Sequence, residues 1–146
     1  MKILVTGSRE WPPTYDALEA ISSILEEYVV ITEHDFGVDY APVEMINGMS
    51  DQGGVDTYCY MWARGIGWPV DPCPAEVSPG HSRPLPWQYA KRNKLMVDKL
   101  PDIVLAFYVE GARNRGTQMT VEMAEAKGIP VRKFHFNPST NAFWEE

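Results

Sequence analysis

The chain opens on a continuous apolar run, Ile3–Leu4–Val5, that breaks into Thr6–Gly7–Ser8–Arg9. A short unbroken apolar run closed by glycine predicts a strand buried on both faces, as in parallel sheets. Trp11–Pro12–Pro13 cannot be helix interior. Thr14 is placed to cap a helix starting near Tyr15, with Asp16 favourable in its first turn. Ala17, Leu18, Ile21, Ile24, Leu25 and Tyr28 then recur on one helical face. The β-branched stretch Val29–Thr32 predicts an extended segment, Glu33–Pro42 a polar loop, and Val43–Ile46 the next strand. A helix over Val55–Ile66 follows, with Val55, Cys59, Trp62, Ala63 and Ile66 on one face and Gly65 and Gly67 closing it. Trp68–Val70 reads as a weaker strand.

The second half repeats the alternation. Asp71–Trp87 carries Pro72, Pro74, Pro79, Pro84 and Pro86 together with Gly80, so it predicts a long irregular loop, which in a compact domain is usually functional or mobile. A helix is expected over Trp87–Leu100, with Tyr89, Leu95 and Met96 among its apolar contacts and Pro101 as its stop. Ile103–Phe107 is a second buried-strand signal. Gly116–Lys127 predicts a helix capped by Gly128, and Ile129–Phe134 the last strand. His135–Glu146 shows no periodicity.

Strand and helix alternating in this way predict an α/β fold: a single-domain, Rossmann-like, mostly parallel sheet with helices on both faces. Residues 1–134 are expected to form the domain and 135–146 a C-terminal tail. Ligands of such sheets bind where the loops gather at the carboxyl ends of the strands. The glycine-rich breaks at Gly7, Gly48–Gly54 and Gly116 all follow predicted strands and should converge on one edge.

Composition narrows the partners. The 146 residues are 45% hydrophobic and 12% aromatic, as in ordinary globular proteins. A net charge of -7 and a pI of about 4.9 argue against nucleic acid as partner, because nonspecific binding to it needs many cationic contacts to phosphate. No apolar run approaches the ~20 residues of a membrane span, and the N-terminus shows no signal-peptide pattern. Cys59 and Cys73 are far apart and form no CxxC pair, so both are expected as reduced thiols of a cytoplasmic protein. His34, His81 and His135 lack zinc-ligand spacing, so neither a metal nor a resident cofactor is expected. No Ser/His/Asp or Cys–His set is legible.

The loops carry the candidate chemistry. Gly7–Ser8–Arg9 is either a tight strand-to-helix connection or one wall of a phosphate site. It is neither a Walker A nor a GxGxxG motif. The loop from Gly48 to Asp56, with Gly53 and Gly54, is either a flexible link whose Asp56 favours the helix dipole, or a backbone cradle for phosphate with Asp56 on a ribose hydroxyl. Arg92–Asn93 is either part of a solvated basic face with Lys91 and Lys94 or a ligand contact. Gly116–Thr117 at a helix start offers free N–H groups and a hydroxyl to an anion. Trp11 adjoins Arg9 and is the candidate to flank a base. Met119 with Met123, or Tyr58 with Trp62, are candidate homodimer contacts.

Six of these pieces in order resemble the SLOG superfamily, the Rossmann-like group that includes the DNA-processing protein DprA and the cytokinin-activating LOG enzymes. The resemblance is closest to its small YspA-like, YpsA-related branch. The pieces are Thr6–Arg9 with Trp11, Gly48–Asp56, Arg92–Asn93 with Met96, Ala106–Phe107, Gly116–Thr117 and Gly128–Val131. The resemblance implies a nucleotide or nucleotide-derived ligand across these loops, bound in a sensing, sequestering or regulatory role. It also implies a use for Arg92, which matches an arginine that helps LOG enzymes cleave a base from ribose 5-phosphate. The alternative is therefore a LOG-like N-glycosidic hydrolase or transferase, with Arg92, Asp56 and Glu122 as candidate catalytic residues. Single-stranded DNA binding ranks third. Two departures stand out. Thr120 occupies the place of the LOG catalytic glutamate, and Glu122 lies about 200° further round the helix. The glycine-rich loop lacks the branch's usual arginine and carries Asp51–Gln52 instead.

Overall fold

The computed structural model describes residues 1–29, 31–40 and 42–146, so Val30, within the expected extended segment, and Ala41, within the expected loop, lie outside the described residues. The elements are β1 (Lys2–Gly7), α1 (Tyr15–Glu26), β2 (Ile31–His34), β3 (Gly37–Tyr40), β4 (Glu44–Asn47), α2 (Val55–Ile66), β5 (Val70–Pro72), α3 (Pro86–Asp98), β6 (Ile103–Val109), α4 (Arg115–Ala126), β7 (Val131–Phe136) and β8 (Phe143–Glu145). Six strands form one sheet in the order β5-β4-β1-β6-β7-β8. The first five are mutually parallel, and β8 runs antiparallel to β7. The molecule therefore has a mostly parallel sheet with helices on both faces, in a Rossmann-like α/β arrangement.

β1 is the centre of this sheet because its residues are apolar on both sides. Ile3 and Val5 point into one core, which also takes Ala17, Ile21 and Leu25 of α1 and Val55, Cys59 and Ala63 of α2. Leu4 points into the other, with Ile46, Val104, Met96 and Val97 of α3 and Ala124 of α4. Alternation along a strand sends neighbouring side chains to opposite faces, so three consecutive apolar residues anchor both layers. Strand order reverses at β1: the chain moves outward through β4 and β5, then crosses back to β6 and outward to β7. The carboxyl ends of β1 and β6 thus border the crevice at the switch point, where such sheets bind ligands.

Helix ends follow the sequence signals. The Thr14 hydroxyl accepts from the Ala17 amide at 3.3 Å and caps α1. Gly67, left-handed at φ 88°, ends α2. α3 starts one residue earlier than expected, at Pro86, whose missing N–H costs nothing in a first turn. The Gln88 side chain accepts from the Leu85 amide there at 2.7 Å. Asp98, near the end of α3, takes Lys94 at 2.6 Å and Lys127 from beyond α4, tying the two helices together.

Two expectations are corrected. Glu33–Pro42 is not simply a loop: β2 and β3 pair antiparallel as a hairpin, from Ile31 with Tyr40 to His34 with Gly37. Residues 135–146 are not a structureless tail. β7 runs on to Phe136, and β8 closes the sheet, with Phe143 stacked on Phe134 at 5.8 Å. Arg132 grips Glu145 with two bonds of 2.8 Å.

Candidate functional site

The loops after β1 and β6 meet α3 around an open cleft of about 660 Å³. Of the residues expected at a site, Gly7, Ser8, Arg9, Asp56, Arg92, Asn93, Gly116 and Thr117 line it. Arg113, from the loop before α4, and Arg115, the first residue of α4, line it as well. The charged lining is then Arg9, Arg92, Arg113 and Arg115 against Glu10 and Asp56. A chain of net charge -7 concentrates cations here.

Backbone geometry decides which amides remain to meet a ligand. Two glycines let the first and second loops touch. A Cβ on Gly7 would lie 2.5 Å from Val55 Cγ2, and one on Gly54 would lie 2.5 Å from Arg9 Cα and from the Ser8 carbonyl. That contact lets the Val55 amide donate to the Ser8 carbonyl at 3.1 Å, while the Ser8 amide donates to Phe107 at 3.0 Å. Inside the second loop, Met49 donates to Asn47 Oδ1 at 2.8 Å, Ser50 to Asp56 Oδ2 at 3.2 Å, and Gln52 to Ser50 Oγ at 3.2 Å. Four amides of the expected backbone cradle, those of Met49, Ser50, Gln52 and Val55, are thus spent on the fold. Gly48, Gly53 and Gly54 do not line the cleft; Gly48 offers its carbonyl to Arg92 Nη1 instead.

The start of α4 differs. Asn114, left-handed at φ 52°, places no side-chain cap on the helix. Its amide instead donates to the Val109 and Ala112 carbonyls, both at 3.0 Å, while its Oδ1 accepts from the Val109 amide at 3.2 Å. The loop is braced from inside, and the first turn of α4 presents Gly116 and Thr117 to the cleft with its N–H groups uncapped by a side chain.

Arg92 is held in place by neighbours rather than by solvent. Its Nε donates to Asn93 Oδ1 at 2.9 Å and its Nη1 to the carbonyls of Gly48 and, at 3.5 Å, Cys73. Burial lowers its pKa from the ordinary guanidinium value, with Asp56 opposing. Arg9 is exposed; its Nη1 donates to Gln52 Oε1 at 3.1 Å, and its guanidinium lies 4.5 Å above the Tyr89 ring. Asp56 is 9% exposed. Burial pushes its carboxyl up to about 6, against the pull of Arg92, the Ser50 amide and Arg9. A carboxyl raised to about 6 in a cleft of arginines can take up and release a proton close to neutral pH.

Two expected residues are placed elsewhere. Trp11 is 2% exposed, donates from Nε1 to the Ala17 carbonyl at 2.8 Å, and packs on Phe107 and Phe136 at 5.8 and 5.3 Å. It is core, not a cleft wall: the chain turns at Arg9–Glu10, between the cleft and Trp11. Glu122 is exposed on α4, accepts from Gln118 Nε2 at 3.1 Å and does not line the cleft. Thr120 is fully buried and donates to the Gly116 carbonyl at 3.0 Å. Tyr89 is one of the cleft residues that sequence reasoning missed, with Arg113 and Arg115. It reads as a helix-packing residue because it falls within α3, and only the third dimension sets it beneath Arg9.

Cys59 is buried and Cys73 half-buried, both as free thiols, and burial raises the Cys59 pKa. Trp62 packs edge-on against Trp68 at 4.9 Å, and Tyr58 and Trp62 lean on the first core. Among the described residues, no helix is long and apolar enough to cross a membrane, and no group of three or more His, Cys, Asp or Glu is placed to hold a metal ion.

Fold and cleft define a class: a Rossmann-like α/β protein with an arginine-lined crevice at its topological switch point. No protein-family model, curated protein or solved structure matches the chain.

Proposed function

We propose that the protein binds a nucleotide or nucleotide-derived small molecule in the switch-point cleft, in a sensing, sequestering or regulatory role, as a SLOG-type domain. One observation carries the reading. Four arginines and the uncapped start of α4 surround one cleft of about 660 Å³ in a protein of net charge -7. Guanidiniums and helix N-termini are the standard partners of phosphate oxygens. The order of the pieces along the chain, from Thr6–Arg9 to Gly128–Val131, supports the family reading. Phosphate recognition here rests on side chains and one helix end, because the amides of Ser8, Met49, Ser50 and Val55 in the first two loops are used internally.

Calorimetry with mono-, di- and cyclic nucleotides and ADP-ribose derivatives tests this. Submillimolar binding of at least one is expected, and Arg9→Ala and Arg92→Ala each weaken it by about tenfold or more, the worth of a charge-assisted hydrogen bond. Absence of binding, or binding indifferent to both substitutions, overturns the assignment.

A second reading draws on Asp56. A buried carboxyl raised to about 6 beside Arg92 is a suitable acid or base for cleavage at an N-glycosidic bond. Release of free base from nucleoside monophosphates, abolished by Asp56→Asn, is its expected signature. Stable binding with no release leaves the protein a binder.

A further inference from the structure

Resting on the nucleotide reading above, we infer that Tyr89 is the platform on which the cleft takes a planar heterocycle, and that Arg9 occupies this platform until the heterocycle arrives. Tyr89 is the only aromatic side chain among the described residues lining the cleft. Trp11, the aromatic nearest to Arg9 in sequence, is sealed in the core.

Arg9 rests on Tyr89 by two weak tethers, a cation–π contact at 4.5 Å and one hydrogen bond to the exposed Gln52 at 3.1 Å. Arg92, the ring's other cationic neighbour at 5.7 Å, is fixed by its bonds to Gly48 and Asn93. One guanidinium is therefore movable and the other is not. No hydrogen bond pins the ring: the Tyr89 hydroxyl is buried and has no partner in the protein. Stacking of a base on an aromatic ring is the stronger interaction at such a site than an exposed cation–π contact. A ligand carrying both a ring and a phosphate exchanges with Arg9 at no loss to either. The ring takes the tyrosine face, and the released guanidinium takes the phosphate in a charge-assisted contact stronger than its bond to the neutral Gln52 amide oxygen. A sugar phosphate without a base cannot complete this exchange. The ligand class is therefore a phosphate joined to a planar heterocycle, and Tyr89 sets the preference for the heterocycle.

The test compares nucleoside monophosphates with ribose 5-phosphate by calorimetry on the wild-type chain, Tyr89→Phe and Tyr89→Leu. Wild type and Tyr89→Phe are expected to favour the nucleotide by about tenfold or more, the contribution of one stacked base. Tyr89→Leu is expected to bind the nucleotide only as well as ribose 5-phosphate, with affinity for the latter no weaker than in wild type because Arg9 is freed from the ring. Equal weakening of both ligands by Tyr89→Leu, or a nucleotide preference that survives it, overturns the inference. Proton NMR gives a readout that does not depend on the folding of the leucine variant. Base protons of the nucleotide shift upfield on binding to the wild-type protein, and unshifted protons in a bound nucleotide overturn the platform. If no phosphate compound binds the wild-type chain, the nucleotide reading itself falls; if they bind without the ring preference, only the Tyr89 assignment does.

Discussion

Burial lifts the Asp56 carboxyl to about 6 even though Arg92 and the Ser50 amide both favour its charged form. Desolvation therefore outweighs its partners, and the sign of the pH effect follows. A carboxyl raised in the folded chain holds its proton where the unfolded chain has already lost it. Its burial cost is thus complete above about pH 6 and is relieved as pH falls towards the ordinary value of 3.8. Asp56→Asn keeps the shape and the acceptor for Ser50 without the charge. At about pH 7 the variant is expected to be more stable than wild type by about 2 kcal/mol, and near pH 4 the two should coincide. Urea midpoints at a series of pH values check this. An advantage that grows as pH falls would assign the effect to the broken pair with Arg92. The same residue shows the reach of sequence reading. Asp56 was legible as a site carboxylate from its place at a helix start, but its raised pKa was not, since it arises from walls contributed by distant segments.

At the scale of elements, α2 approaches β1 so closely that two glycines are required, and they are required for different reasons than their neighbour. Gly54 is left-handed at φ 80° and faces the Arg9 backbone, whereas Gly53, left-handed at φ 76°, has open space where a Cβ would stand. Gly53→Ala is expected to cost about 1 kcal/mol, the backbone strain alone. Gly54→Ala adds a clash with main chain that cannot swing aside and is expected to cost at least about 3 kcal/mol. Denaturation midpoints of the two variants, with ligand affinity measured alongside, separate strain from contact. Elements with long periodic patterns were readable: α1, α2, α3 and α4 all appear within a few residues of their expected spans. What escaped was short. β3 carries four residues and β8 three, too few for alternation to register against polar neighbours. The glycine-rich loop was legible as a site element, but three of the amides it offers to a ligand, those of Met49, Ser50 and Val55, serve Asn47, Asp56 and Ser8. Sequence shows that such donors exist and does not show where they are used. Trp11 failed for a related reason: adjacency to Arg9 along the chain says nothing of the turn between them.

The whole molecule is acidic, yet all four cations of the cleft are arginines and two acids alone stand beside them. A cationic recess on an acidic body attracts anions only at close range, because the surrounding surface repels them and salt screens both effects over about 8–10 Å. Raising ionic strength is therefore expected to change the association rate of a phosphate ligand less steeply than for a uniformly basic protein, while weakening equilibrium affinity through the direct arginine contacts. Stopped-flow binding across a salt series measures the two separately. A steep fall in association rate with salt would mean that the long-range field is cationic after all.

Ser8 joins β6 and α2 through one residue: its amide donates to the Phe107 carbonyl of β6, and its carbonyl accepts from the amide of Val55 on α2. The crevice therefore has no partial form. Until α2 and β6 have both docked against the Ser8 segment, the two walls do not face each other. Any ligand held there recognises the completed chain alone, so its binding energy is added to global opening and not to local fraying. In hydrogen-exchange terms, the Ser8 and Val55 amides should exchange together, and a ligand should slow both by one common factor.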